Sequence, residues 1–133
     1  MKEENAIGWR RAALLFWVGA LGYCALEVAW RGYTHWSMGL TGGACLVGLY
    51  ALHRRLASRP LALQALAGAA LVTAAEFAVG CVVNLLLGWN VWDYSGWRVQ
   101  LLGQICLVFC LLWYLLCLGV LWVFRAWERR RAG

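Results

Sequence analysis

Two carboxylates lie inside apolar stretches of this sequence, where charged side chains are rare. Glu27 interrupts the first apolar run and Glu76 interrupts the third. A carboxylate at the centre of a bilayer helix costs at least about 2.5 to 3.5 kcal/mol, so each one needs a partner or a function. Glu27 precedes Arg31 by four residues, which brings both side chains to one helix face and predicts an ion pair. Glu76 is the sharper candidate for binding a ligand, a proton or an ion.

Further polar residues fall at the same level as these two acids along the predicted helices. His35 precedes the second apolar run, Asn84 ends the third and Gln104 opens the fourth. The opposite halves of the helices carry almost no polar side chains. We therefore predict an outward-facing polar pocket that is closed on its inner side and binds a cation, a proton or a small polar solute. Its candidate ligand- or ion-binding residues are Glu27, His35, Glu76, Asn84, Asp93, Tyr94, Ser95 and Gln104.

Each candidate also has a structural interpretation. A buried Glu76 can be protonated, or hydrogen-bonded to Gln104 or His35. His35 can serve as an interfacial packing residue, since few acidic residues are available to complete a metal site with it. Asp93 and Ser95 can cap the fourth helix and tie the preceding loop. The tryptophans of that loop are also typical of an interfacial aromatic belt.

Known signatures of catalysis are missing from the sequence. It contains no P-loop, no H-E-x-x-H and no G-x-S-x-G pattern, and its sole lysine, Lys2, precedes the first apolar run. The six cysteines all lie in apolar runs without C-x-x-C spacing, which predicts neither a metal site nor a disulfide framework. Cys106, Cys110 and Cys117, with Trp113, predict a packing seam on the fourth helix. We expect no enzymatic activity, no cofactor and no metal.

Four apolar runs are long enough to position the polar residues as transmembrane helices. The chain is 64% apolar and only 14% charged, a membrane composition, and each run can supply the roughly 17 to 25 residues needed to cross a bilayer. The first run lacks a small-residue cleavage site after it, so we interpret it as a helix rather than a signal peptide. The sequence predicts an all-α polytopic protein with one transmembrane domain over residues 1–133. Its predicted helices cover about 10–30, 36–53, 61–87 and 98–125, with Gly39, Gly43, Gly68 and Gly80 at helix contacts.

The distribution of basic residues predicts the orientation. Ten of the twelve lie before the first run, between the second and third, or after the fourth, whereas only Arg31 and Arg98 lie on the other side. By the positive-inside rule, both termini are expected to be cytoplasmic. The net charge of +6 is thus a topology and lipid-headgroup signal, and we expect no nucleic-acid binding.

Three segments of the sequence carry a family likeness: "RGYTHWSMGLTGG", "AAEFAVGCVVNLLLGWNVWDYS" and "LLGQICLVFCLLW". Together they resemble the small four-helix bacterial proteins described as putative ABC-transporter type IV, or CmpB-like, permeases. The pattern E-F-x-x-G-x-x-x-N followed by W-D-Y-S is the specific part. The resemblance implies the bacterial cytoplasmic (inner) membrane and a role in transport. The positions that match the family pattern are Glu76, Gly80, Asn84, Trp92, Asp93, Tyr94, Ser95, Gly103 and Gln104.

Two functions from different classes are compatible with these features. The first is a transporter, channel or ABC-permease-like component, working as a homo-oligomer or beside a partner membrane subunit and a separate ATPase. The alternative is a non-transporting adaptor or sensor subunit that binds a partner protein or membrane lipid. It would use its glycine faces and the aromatic loop at residues 88–97, "GWNVWDYSGW". A membrane enzyme acting on lipid or a small substrate is a third reading, which the missing signatures disfavour.

Overall fold

A computed structural model describes residues 7–133, so Lys2 lies outside the described residues. Helix α1 spans Trp9–Arg31 and α2 spans Trp36–Arg55. Helix α3 spans Leu61–Gly80 and continues as a π-helix over Cys81–Leu86. The strands β1 (Gln100–Leu101) and β2 (Ile105–Cys106) form an antiparallel hairpin, and α4 follows over Leu107–Ala132. The described chain is therefore all-helical apart from one short hairpin, in agreement with the predicted all-α class.

Three segments are long and apolar enough to cross a membrane: α1, α3 together with its π-helix, and α4. Helix α2 is less apolar than the other three, because glycine, serine and threonine occupy its first half and basic residues its last turn. Many large apolar side chains on these helices are exposed, as expected for surfaces that face lipid. Three of the four predicted spans thus have the composition of membrane helices.

The predicted start of the fourth helix near residue 98 is wrong. Helix α4 begins at Leu107, because the preceding residues form the β1–β2 hairpin instead. Leu102 and Gly103 at its turn have φ of +53° and +72°, which no helix accommodates. The helix also runs on to Ala132, seven residues beyond the predicted end near 125. The third helix differs more subtly, since its last residues, Cys81–Leu86, are π-helical rather than α-helical.

The described residues fall into two compact units, one ending at Ala57 and the other beginning at Ser58. In the first unit, α1 packs closely on α2. A Cβ atom added at Gly43 would lie 2.7 Å from the backbone oxygen of Phe16, so only glycine permits this approach of the two helices. A Cβ at Gly39 would lie 3.1 Å from Cys24 Sγ. Towards the basic end of this unit, Arg11 donates a 2.8 Å hydrogen bond to the hydroxyl of buried Tyr50.

In the second unit, α3 packs antiparallel to α4. Pro60 is the N-cap of α3, and its carbonyl accepts hydrogen bonds from the backbone N–H groups of Leu63 and Gln64. Proline suits this place, because the first N–H groups of a helix have no intrahelical partner. The buried face of α3 includes Gly68, Glu76 and Gly80. These three residues therefore face protein rather than lipid.

Candidate functional site

Glu76 is a buried carboxylate on α3, with only 4% of its surface exposed. The indole N–H of Trp113 on α4 donates a 2.6 Å hydrogen bond to its Oε2 atom. The side chain of Tyr94 also hydrogen-bonds to it. Both donors are neutral, and no arginine of its own unit, in the part of the chain that the structure describes, forms a salt bridge with it. Glu76 is thus held by aromatic donors rather than by a counter-charge.

The suggested hydrogen bond between Glu76 and Gln104 is not present in the structure. Gln104 Oε1 instead accepts a 2.8 Å hydrogen bond from the side-chain amide of Asn84. Gln104 Nε2 donates to the carbonyl of Leu102 at 2.8 Å, so both ends of the amide are used. The Gln104 carbonyl accepts the indole N–H of buried Trp92 at 2.9 Å. This arrangement ties the β1–β2 hairpin to the loop that precedes it.

Asn84 connects the π-helix to the same loop. Its Oδ1 atom accepts hydrogen bonds from the backbone N–H groups of Val91, at 2.6 Å, and Trp92, at 3.4 Å. A π-helix inserts an extra residue into a turn and so changes the direction of the side chains that follow. The side chain of Asn84 in that turn reaches both the loop and Gln104. We name the set Gly80, Asn84, Trp92 and Gln104 the amide cluster.

Gly80 allows the amide cluster to close. A Cβ atom added to it would lie 2.6 Å from Gln104 Oε1 and 2.8 Å from Trp92 Cζ2. Real Cβ atoms essentially never approach heavy atoms so closely. Any larger residue at this position would therefore have to displace one of the two side chains.

In the segment Asp93–Ser95, Asp93 and Ser95 stabilise the loop, whereas Tyr94 contacts Glu76. The exposed Asp93 accepts a 2.9 Å hydrogen bond from the Ser95 backbone N–H, and this bond, with one from the Ser95 side chain, lowers the pKa of Asp93. Tyr94 instead points to Glu76, while its ring stacks on Phe109 with centroids 4.9 Å apart. The predicted cap on the fourth helix is wrong, because the N-cap of α4 is Cys106 and has no side-chain cap bond. Asp93 and Ser95 tie the loop, and only Tyr94 reaches the buried acid.

The other candidates, Glu27 and His35, belong to the first unit. Glu27 forms an ion pair with Arg31 and accepts a 2.7 Å hydrogen bond from the Thr34 hydroxyl. His35 is the N-cap of α2, where its Nδ1 atom accepts the Ser37 backbone N–H at 3.2 Å and contacts the Ser37 hydroxyl at 2.6 Å. Each has partners within a few residues, so these contacts organise the turn between α1 and α2.

Sequence reasoning did not assign Trp113 or Trp92 to the polar site. Trp113 was placed in a cysteine packing seam and Trp92 in an interfacial belt, yet each indole N–H binds a buried acceptor. A signal was present, since a buried carboxylate requires donors and an indole N–H is one of the few that membrane helices offer. The seam itself is mixed: Cys117 is buried, whereas Cys110 is partly exposed and accepts a 3.6 Å hydrogen bond from the Thr73 hydroxyl.

Within residues 7–133, no group of three or more His, Cys, Asp or Glu side chains could hold a metal ion. A cavity of about 530 Å³ opens between α3 and α4 in the second unit. Its lining is apolar and includes none of the predicted ligand- or ion-binding residues. The polar groups around Glu76 and in the amide cluster are instead packed against protein.

The fold and the buried polar groups define an all-helical chain with three helices suited to a membrane and an acid held between two of its helices. Within that class, the family model described as "Putative ABC-transporter type IV" matches residues 13–131. The chain belongs to this family, and the resemblance drawn from its three sequence segments is confirmed. Searches of curated proteins and of solved structures found no match. The positions that carried the family likeness on α3 and in the following loop include all four residues of the amide cluster.

Proposed function

We propose that the chain is the membrane component of a transport system and that Glu76 is its proton- or cation-binding group. The observation that supports this role is the carboxylate itself, 4% exposed and held by two neutral donors. A buried acid without a counter-charge is costly in a membrane, so a proton or a cation that joins it relieves that cost. The family description, an ABC-transporter type, points in the same direction.

The predicted outward-facing pocket is part of this proposal. In the second unit it comprises Glu76 and Tyr94, with Trp113 as a further donor and the amide cluster beside them. Glu27 and His35, in the turn between α1 and α2 of the first unit, remain proposed as ligand- or ion-binding residues. The proposal further places both termini in the cytoplasm, with α2 as the fourth span. Fusions of a cytoplasm-active and an exterior-active reporter to the C-terminus test that orientation, because only the first should be active.

Flux measured across liposomes tests the role of Glu76. The purified chain is reconstituted with a pH-sensitive or cation-sensitive dye inside, and a membrane potential drives entry. Glu76→Gln keeps the size of the side chain and one acceptor oxygen, but it loses the charge, so we expect flux to fall to the level of empty liposomes. Glu128→Gln is the matched control, because it removes one carboxylate from the basic end of α4. Equal flux through wild type and Glu76→Gln would refute the assigned role.

The alternative is a non-transporting subunit, an adaptor or sensor. One observation favours it: the side-chain amides of Asn84 and Gln104 make their hydrogen bonds within the chain, and so they do not form an open binding site. On this reading, ATP hydrolysis and translocation belong to separate subunits, and the aromatic loop binds one of them. Absence of flux from the purified chain under every gradient, with flux restored by adding a partner subunit, would favour the alternative.

A further inference from the structure

An open apolar groove runs between α3 and α4 in the second unit. It has a volume of about 530 Å³, and its α3 wall runs from Leu66 to Phe77. Those twelve residues, eleven intervals of 1.5 Å, correspond to about 16 Å of helix, close to half of a hydrocarbon core of about 30 Å. Ala70 and Ala74 in the wall are small and exposed, so the groove is accessible from the side. Its length matches the depth of one bilayer leaflet.

Polar groups contribute little to the groove. The Thr73 hydroxyl in its wall is directed at Cys110 Sγ, 3.6 Å away. The hydroxyl of Tyr114, at the other wall, lies 3.5 Å from the backbone oxygen of Ala62. Both hydroxyls have neighbours inside the same unit, and the remaining lining is aliphatic or aromatic apart from the Cys110 thiol. The groove is therefore suited to a hydrocarbon chain rather than to a polar solute.

Two arginines, Arg59 and Arg125, lie next to each other beyond the Leu66 end of the groove. Arg125 Nη2 lies 3.3 Å from the backbone oxygen of Arg59, which fixes the two residues beside each other. Arg125 follows Tyr114 by eleven residues, about three helical turns, so both lie on one face of α4. No salt bridge involves Arg59 or Arg125 among the residues that the structure describes. Positive charge thus adjoins the apolar groove.

We propose that the groove holds one acyl chain of an anionic phospholipid whose phosphate binds Arg59 and Arg125. Arg59 lies two residues before α3 begins at Leu61, and Leu66 lies about 8 Å further along the helix, so Arg59 is beyond the Leu66 end of the groove. Guanidinium groups bind phosphate through paired N–H donors, and an apolar groove of leaflet depth receives the chain. Charge complementarity selects an anionic lipid over a zwitterionic one.

Native mass spectrometry of the purified chain in detergent tests this site. The probes are phosphatidylglycerol, phosphatidylcholine with the same two acyl chains, and glycerol 3-phosphate as the headgroup alone. We expect one phosphatidylglycerol per chain, bound about tenfold or more tighter than phosphatidylcholine, since two arginines near the headgroups attract an anionic lipid more than a zwitterionic one. Glycerol 3-phosphate should not compete, because it lacks the chain. Equal binding of the two lipids by wild type, or effective competition by glycerol 3-phosphate, would overturn the proposal.

Paired variants separate the two halves of the site. Replacing Arg59 and Arg125 together by Gln should abolish the preference for phosphatidylglycerol, so that the two lipids bind with equal affinity. The control Arg98→Gln, in the loop before β1, should keep the preference. Ala70→Phe fills the groove and should weaken binding of both lipids about tenfold or more, whereas Ala78→Phe, at an exposed alanine outside the groove, should not.

Circular dichroism of each variant establishes that it is folded before its lipid binding is compared. Wild-type affinity in a folded Ala70→Phe protein would refute the groove as the chain site. If Ala70→Phe instead converts a dimer into a monomer, the groove is a contact between two copies, and the lipid assignment fails.

Discussion

Replacing Gly80 by alanine should destabilise the second unit through a single methyl group. The added Cβ would lie 2.6 Å from Gln104 Oε1 and 2.8 Å from Trp92 Cζ2, well inside ordinary contact. Overpacking of this kind costs about 1 to 3 kcal/mol. The Gln104 amide cannot withdraw freely, because Asn84 and the Leu102 carbonyl hold both of its ends. Any movement therefore also weakens hydrogen bonds worth about 1 kcal/mol each.

Gly119→Ala is the matched comparison for this prediction. Gly119 lies within α4, and nothing lies within 4 Å of a Cβ built there. Both substitutions gain the same helix propensity, about 1 kcal/mol, so that term cancels in the difference between them. We expect Gly80→Ala to be less stable than Gly119→Ala by about 1 to 3 kcal/mol.

The assay is reversible unfolding in mixed micelles, followed by far-ultraviolet circular dichroism as the denaturing detergent fraction rises. Equal midpoints for the two alanine variants would contradict the inferred close packing at Gly80. A lower midpoint for Gly119→Ala would contradict it more strongly.

Three further predictions concern the buried acid and the loops. Trp113→Phe removes the N–H group that donates to Glu76, so it should lower the free energy of unfolding by about 1 to 3 kcal/mol in the same micelle assay. The double variant Trp113→Phe with Glu76→Gln should lower the free energy of unfolding by less than the sum of the two single changes. His35→Ala removes the N-cap of α2 and should lower the free energy of unfolding by about 1 kcal/mol. An unchanged free energy of unfolding would show that the cap is unimportant. Asp93 has a lowered pKa, so its stabilising contribution is fully present above the unfolded pKa of about 3.9 and is lost as pH falls through the lower folded value. Asp93→Asn should therefore show a smaller loss of stability than wild type over that acidic range, and parallel pH curves would contradict the assignment.

The helices could be predicted from the sequence because membrane composition constrains them strongly. Apolar runs located the starts of α1, α2 and α3 to within one residue, and Pro60 marked where α3 begins. Composition failed at residues 98–106, because an apolar hairpin and the first turns of an apolar helix contain the same residue types. The hairpin depends on positive φ at Leu102 and Gly103. Leucine rarely adopts a positive φ, so its presence at position 102 did not predict this turn.

The partners of Glu76 could not be predicted from spacing. Trp113 is 37 residues away in the sequence, and it reaches the acid only because α4 packs on α3 in this register. Tyr94 reaches it from a loop whose path is set by Asn84 and by the turn at Gly103. Local patterns carry information about i, i+4 neighbours, as for Glu27 and Arg31, and not about such long-range contacts.

The positions that carry the family likeness in the second unit now have two separable physical roles. Asn84, Trp92 and Gln104 use their polar groups on one another or on the backbone, and Gly80 leaves the space in which Trp92 and Gln104 pack. These four residues therefore hold the loop and the hairpin against α3. Glu76 differs, because both of its hydrogen-bond donors are neutral and no arginine of the second unit, as far as the structure describes it, forms a salt bridge with it. If the amide cluster exists to hold Tyr94 against Glu76, then Gly80→Ala should impair flux as well as stability, whereas Gly119→Ala should impair neither. Normal flux in a destabilised Gly80→Ala protein would show that the cluster and the acid work independently.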